Sequence, residues 1–426
     1  MDKLNRRIGN RIRSWMLLPL ACTLLAATSA NAKYTEPQSY NNPAVTVTLG
    51  AWPYKTNAWD DTTTFQKAID YVAANGGGKV IVPADTYRLV QIDLKSDVHV
   101  VFDGKSTIFP HSQVIADGDT VNLFNFGTDG RIDNASVRGS GGWTKFEFGN
   151  HDKVRAFLCG DVNNFLIASF TINDSRTTYS SITLTWEGNA ANGDPLIPSN
   201  GTIKNIRAND ADYGYGAIQA QSGIDIYFKN ITSVGGVAVR LETGWKVMNL
   251  AQASGLWGIT GDNITSIHGQ AAVFFEAHAL HHGHTSFNNV KSVGSEYAVL
   301  NAGGSLHKFN QQEIDDNNLT EGSFESITIN GVDAMYEAGP IVTRWAHLLH
   351  FPVELHGLVY EDPTILGSKQ YAGPSIAPVL NTTPNDSNIV ITNINSNNSF
   401  QYHPDIIDSS DFFTGSERTV LNTKIP

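Results

Sequence analysis

The chain has 426 residues, with 29 Lys and Arg against 41 Asp and Glu, for a formal charge of −12. That acidity argues against nucleic acid and against a general attraction to anionic surfaces, so an anionic ligand would need a local basic patch. With 38 Gly, 2 Cys and 16% charged residues, the composition suits an all-β protein of many turns and excludes a disulfide-stapled scaffold.

Lys3, Arg6, Arg7, Arg11 and Arg13 open the chain, an apolar run at 15–27 follows, and Ala30-Asn31-Ala32 completes a secretory leader. Residues 1–32 are therefore expected to be cleaved near Ala32, leaving a secreted protein, periplasmic or extracellular. The apolar run is too short to span a membrane. Cys22 leaves with the leader and Cys159 remains alone, so stability must come from a large core, which the remaining length can supply.

Residues 33–50 read as an extended lead-in. Asp60-Asp61-Thr62 then precedes Phe65, Ile69 and Val72 at helical spacing, and Asn75-Gly76-Gly77-Gly78 closes the segment, which predicts an N-capped amphipathic helix. An apolar strand at 79–83 comes next. A helix, a glycine turn and then repeated strands is how a solenoid covers the open edge of its first coil. Short strand candidates follow at 98–103, 121–126, 134–137, 165–172, 181–186, 202–206, 216–221 and 224–228, and again at 323–329, 377–380 and 388–394.

The centre of this series repeats itself. Phe228-Lys-Asn-Ile-Thr-Ser-Val-Gly, Gly261-Asp-Asn-Ile-Thr-Ser-Ile-His and Phe287-Asn-Asn-Val-Lys-Ser-Val-Gly are each followed by a small-residue turn and a second short apolar run. A strand–turn–strand unit too short to bury a face alone predicts a stacked β-solenoid. Asparagines recur at Asn205, Asn230, Asn263, Asn289 and Asn388, and they are expected to form a ladder. Asparagine tolerates left-handed backbone, and its amide can bond the coils above and below. Residues 33–426 are read as one parallel β-helix catalytic domain with long loops around 307–371.

Strand alternation sorts the second runs into two faces. Val237, Val239 and Leu241 are expected inward with Ala271, Val273 and Phe275. Gln219, Gln221, Arg240, Glu242, Glu276 and His278 are expected on one outer face, on coils about 4.8 Å apart. Two carboxylates on adjacent coils would repel, raising the pKa of one unless Arg240 or His278 relieves it. A neutral acid beside an ionised base is what glycosidic cleavage requires, although a solvated row of polar side chains reads equally from the pattern. His281, His282 and His284 lack carboxylate partners in sequence, and no metal site is assigned to them.

Tyr213-Gly-Tyr-Gly-Ala-Ile-Gln219, Gly236-Val-Ala-Val-Arg-Leu-Glu242-Thr, Gln270-Ala-Ala-Val-Phe-Phe-Glu-Ala-His278 and Gly373-Pro-Ser-Ile-Ala-Pro-Val-Leu-Asn-Thr-Thr-Pro384 resemble the ι-carrageenases of glycoside hydrolase family 82. Leu158-Cys-Gly-Asp-Val-Asn-Asn and Phe170-Thr-Ile-Asn-Asp174 add to the likeness, which extends over residues 55–395. The resemblance implies a right-handed parallel β-helix, pectin-lyase-like, that cleaves β-1,4 bonds of a sulfated red-algal galactan from within and with inversion. It implies Glu242 as general acid, with Gln219 and His278 assisting at the same site. The family pattern Glu-Thr-Asp carries the base at its third position, where this chain has Gly244, so Glu276, one coil away, is the expected replacement. Arg240 is the first candidate for a substrate sulfate, with Gln221, Lys246, Trp245, Arg176 and Arg344 as further substrate-binding candidates; Trp257 and Trp345 could also stack on sugars.

No cofactor is expected for the reaction, while the resemblance implies structural Ca2+ or Na+, and Cl−. The expected partner is the sulfated galactan, not nucleic acid or membrane, and the protein is expected to be a monomer. Two rival readings stand beside the hydrolase: a non-catalytic carrageenan-binding relative, which the altered base position would fit, and a polysaccharide lyase.

Overall fold

The three copies of the repeat lie one on top of another. Phe228 pairs with Gly261 and Gly261 with Phe287, and in the second run Val239 pairs with Val273 and Val273 with Val299, always in parallel register. Extended in both directions, this pairing joins 24 strands into the wall of a right-handed parallel β-helix. The computed structural model describes residues 33–42, 46–48, 60–111, 120–338, 341–343, 350–361, 371–402 and 404–411. The leader expected at 1–32, and Arg344 and Trp345, lie outside the described residues. No helix among the described residues is long and apolar enough to cross a membrane.

Inward side chains of successive coils stack into a continuous core. Phe102, Phe124, Phe157 and Phe170 follow one another with ring centroids 6.1, 5.6 and 5.3 Å apart, all fully buried. Such ring pairs add to the transfer energy of burial and hold the coils in line. Helix α1 (Thr62–Ala74) lays Phe65, Ala68, Ile69 and Val72 over the first coils, and Phe65 stacks on Phe102 at 5.9 Å, so the capping helix is present. Its start differs from expectation. Asp61 makes no capping bond, because its carboxylate accepts from the Arg88 N–H at 2.9 Å; Asp60 accepts from the Thr62 N–H instead, at 2.8 Å.

The asparagine ladder is there. Asn205, Asn230, Asn263 and Asn289 all have φ between 53 and 58°, and Asn230 donates to Asn205 while Asn263 donates to Asn230, at 2.8 and 2.9 Å. Asn289 donates to Asp262 instead, and the last rung is Asn393, bonded to Asn330 at 2.6 Å, not Asn388. A second left-handed column, Asn134, Asn164, Asn200 and Asp225, marks another corner of the coil.

Two expectations about packing are corrected. Val237 and Ala271 are buried outside the barrel, in a cluster with Phe274, Tyr297 and Phe351. The reason is a column of alanines: Ala238 and Ala272 face the core together with the Val239 and Val273 that follow them, so the strand turns a corner and the preceding residue points out. Within 307–371, the strand expected at 323–329 extends over Ser323–Met335, Gln311–Asn317 is a helix, α3, with a complete capping box from Asn310 and Glu313, and the described part of the rest includes a 3-10 turn at Val353–Leu358 and strands of a small antiparallel sheet.

Candidate active site

Four neighbouring strands, Ile182–Leu184, Ser199–Ala220, Gly223–Glu242 and Ala271–Glu276, place the outward residues in rows. Thr183, Gln219, Arg240 and Phe274 form one row, and Glu242 stands directly opposite Glu276 in the next. Gln219, Gln221, Arg240, Glu242 and Glu276 all line one groove of about 720 Å³, with Trp186 and Trp245 at one side and Arg155 and Tyr179 at another. A hollow of comparable size near Gln38 and Asn134 brings together no comparable set of charged groups.

Glu242 is 4% exposed and held from three directions. Arg240 Nη2 pairs with Oε2, while Lys308 Nζ donates to Oε1 at 3.3 Å and His278 Nε2 lies 3.2 Å from the same oxygen. Burial by itself would raise the carboxyl pKa, but Arg240, then His278 and Lys308, outweigh it and hold Glu242 well below the usual carboxylate range. Arg240 is itself buried, its guanidinium between the rings of Tyr215 and Phe274 and bonded to the Gly214 carbonyl. It therefore reaches Glu242 and the backbone first, and any substrate only across them.

His278 sits at the centre, its side chain fully buried and its backbone at φ 47°. Nε2 is 3.2 Å from Glu242 Oε1 and 3.6 Å from Glu276 Oε1, while Nδ1 meets Ser305 Oγ at 3.2 Å. The same Ser305 hydroxyl bonds His307, so Glu276, His278 and His307 bring three ligand atoms within 4.8 Å of one another. This nitrogen-rich set does not fit Ca2+ or Na+, which take oxygen donors, and the Lys308 ammonium 3.2 Å from His278 Nε2 opposes any cation there.

Lys308 is the residue that strand alternation could not find. It arrives from the turn before α3, and its ammonium also donates to the Gly244 carbonyl at 3.3 Å. The position beside Gly244 is therefore filled by a cation. Arg155 was missed as well. It stacks on Tyr179, 3.8 Å from ring centroid to guanidinium carbon, and donates to Asn122 at 3.2 Å; among the described residues it has no carboxylate partner.

The remaining expected residues divide. Trp245 lines the groove, edge-to-face with Trp186 at 5.6 Å. Lys246 is turned to α3, where it pairs with Glu313 at 2.6 Å, and Arg176 lies exposed on a left-handed turn; neither lines the groove. Trp257 packs with Trp186, Met248 and Leu280. His281, His282 and His284 go separate ways. Buried His282 accepts from the Leu256 N–H, and burial lowers its pKa to about 3, whereas His281 bonds Ser323 and His284 pairs with Glu325 on the surface.

No family model matches the chain. An ι-carrageenase of Alteromonas macleodii is 33% identical over 292 residues, which is 67% of this chain and 59% of that relative, so the match spans about three fifths of the relative's length. A solved structure named 1,3-α-1,4-β-D-galactose-4-sulfate-3,6-anhydro-D-galactose-2-sulfate 4 galactohydrolase aligns with TM-score 0.80 and 27% identity, covering 90% of this chain and 94% of that one. An ι-carrageenase complexed to ι-carrageenan fragments aligns with TM-score 0.79 and 26% identity, covering 88% and 93%.

Proposed function

Because the chain belongs to the ι-carrageenase family, glycoside hydrolase family 82, we propose that it is a secreted, endo-acting glycoside hydrolase that cleaves β-1,4 bonds of ι-carrageenan or a related sulfated galactan. The observation that carries this reading is the pair Glu242 and Glu276, in register on adjacent strands that line one groove, around one buried imidazole.

Glu242 is assigned as general acid to the leaving glycosidic oxygen, and Glu276 as the base that takes a proton from the attacking water. Gln219 and His278 hold that water and fix the two carboxyls. Glu276 is the better placed of the two to act as a base, since its side chain is 15% exposed and its ion-pair partner is His278 alone among the described residues. Glu242 must acquire a proton that Arg240 and Lys308 oppose in the free protein. A sulfated sugar in the groove competes for Lys308, the more exposed of the two, and so favours the protonated acid. Trp186 and Trp245 offer a stacking wall for sugar rings, and Arg155 a guanidinium for a sulfate ester.

Inversion is part of the proposal. Both Oε1 atoms lie near one imidazole nitrogen, so they are no more than about 7 Å apart in the ligand-free protein. That bound meets the lower edge of the roughly 6.5–9.5 Å used for inversion and also admits the ~5–5.5 Å of retention. Proton NMR during hydrolysis decides: inversion at a β bond releases the α anomer first, and a β anomer would assign Glu276 as nucleophile. Glu242→Gln and Glu276→Gln should each lower kcat by about 10²–10⁴. Full activity in Glu276→Gln would remove it from the mechanism, and an ultraviolet-absorbing unsaturated product would establish the lyase reading instead.

A further inference from the structure

Gly244 is not glycine for conformational reasons, since its backbone lies outside the left-handed region. What it supplies is room. A β-carbon at this position would stand 2.5 Å from Lys308 Nζ, 2.7 Å from Glu242 Oε1 and 3.1 Å from His278 Nε2. The Lys308 ammonium occupies a slot that exists because residue 244 has no side chain.

Lys308 also differs from the other groups on Glu242. Its side chain is 34% exposed and lines the groove, whereas the Arg240 and His278 side chains are 7% and 0% exposed. An anion entering the groove meets Lys308 before the others. If Lys308 turns away, Glu242 keeps Arg240 on Oε2, so the buried carboxylate is not left without a counter-charge. A lysine suits this exchange, being a point charge on a flexible stem with three donors that re-aim readily.

We propose that Lys308 is a substrate-binding residue, parked against Glu242 in the slot left by Gly244, that transfers its ammonium to a sulfate ester of the bound polymer. This inference rests on the hydrolase reading and adds the residue that recognises sulfate next to the acid. One cation thereby changes partner from carboxylate to sulfate, and the acid loses one of its three supports only when a sulfated ligand is present.

The test compares the wild-type chain with Lys308→Met and Lys308→Arg on ι-carrageenan and its oligosaccharides, with chemically desulfated oligosaccharides as control. Lys308→Met is expected to raise KM about tenfold and to lose most of the preference for sulfated over desulfated ligand in binding, with Lys308→Arg recovering most of both. Gly244→Ala, which fills the slot and displaces the parked ammonium without removing it, should keep the preference for sulfated over desulfated ligand. An unchanged KM in Lys308→Met, or equal losses for sulfated and desulfated ligands, overturns the proposal. Should the wild-type chain cleave no carrageenan, the hydrolase reading fails by itself, and inorganic sulfate then judges Lys308. The unfolding midpoint of the wild type should rise more in sodium sulfate than in sodium chloride of equal ionic strength, by a margin absent from Lys308→Met; an equal margin in both proteins overturns the assignment.

Discussion

Arg240→Met isolates the balance on which the site depends. Methionine keeps the stem between Tyr215 and Phe274 but removes the charge that pairs with Glu242. Breaking one side of a buried ion pair costs about 3–5 kcal/mol, and because Lys308 and His278 remain, a loss near the lower end, about 3 kcal/mol, is expected at pH 8. The sign of the pH dependence follows from Glu242. In the wild type its folded pKa is depressed, so its contribution is present above the unfolded pKa and lost only as pH falls through the folded value. In Arg240→Met, burial prevails and the folded pKa rises. The ionised carboxyl then destabilises at high pH, and protonation relieves it as pH falls. Urea unfolding of both proteins at pH 8 and pH 5.5 should show a deficit that shrinks in acid, and Arg240→Met/Glu242→Gln should recover most of it. A deficit independent of pH, or no recovery in the double variant, would refute this account of the pair.

Three further predictions concern the scaffold and the groove. Asn230 donates to Asn205 and accepts from Asn263 at φ 53°, so Asn230→Ala should cost about 2 kcal/mol in unfolding free energy while Asn230→Gly, which keeps the backbone easy, costs less; the reverse order would mean the ladder owes nothing to left-handed geometry. Trp245→Ala should weaken oligosaccharide binding in calorimetry by about 1 kcal/mol with little change in unfolding midpoint, since the residue lines the groove and is 40% exposed. Arg155→Met should raise KM for the sulfated polymer several-fold and leave kcat nearly unchanged, because the guanidinium stands away from the carboxyl pair; a loss confined to kcat would contradict a binding role.

Much of the site could be read from period two. Arg240, Glu242 and Glu276 alternate with core residues that rhyme from coil to coil, and parallel stacking turns equal places in a repeat into contact in space. Arg155 was not within reach of the same reasoning. Leu158 stands opposite Thr183 in the outward row, but Ala156 and Phe157 both face the core, so Arg155, three residues before Leu158, points outward only because the strand turns a corner between them. The alternation failed at Val237 and Ala271, where alanines let the strand turn a corner and present two successive side chains to the core. Lys308 was out of reach. It lies in a turn outside the repeat, and nothing local to residue 244 states that a lysine 64 positions later fills its space. Lys246, adjacent to the groove in sequence, belongs to α2 (Lys246–Ala251) and faces α3, since a helix start turns the chain away from the sheet.

The carboxyl assigned as acid is the one the free protein keeps most firmly ionised, and this has a kinetic consequence. The pH profile of kcat/KM reports ionisations of the free enzyme, and that of kcat those of the enzyme–substrate complex. In the free protein Arg240, His278 and Lys308 hold Glu242 down, so the protonated acid becomes scarce as pH rises from a low value. In the complex, sulfate esters draw on Lys308, and sugar displaces water from a site where burial already raises the carboxyl. The alkaline limb of kcat should therefore lie at higher pH than that of kcat/KM, the gap narrowing in Lys308→Met, where the substrate has one cation fewer to remove. Coincident limbs in the wild type would mean that substrate leaves the surroundings of Glu242 unchanged, and the acid would then have to be sought in another groove-lining carboxyl, with Glu187 the first to substitute.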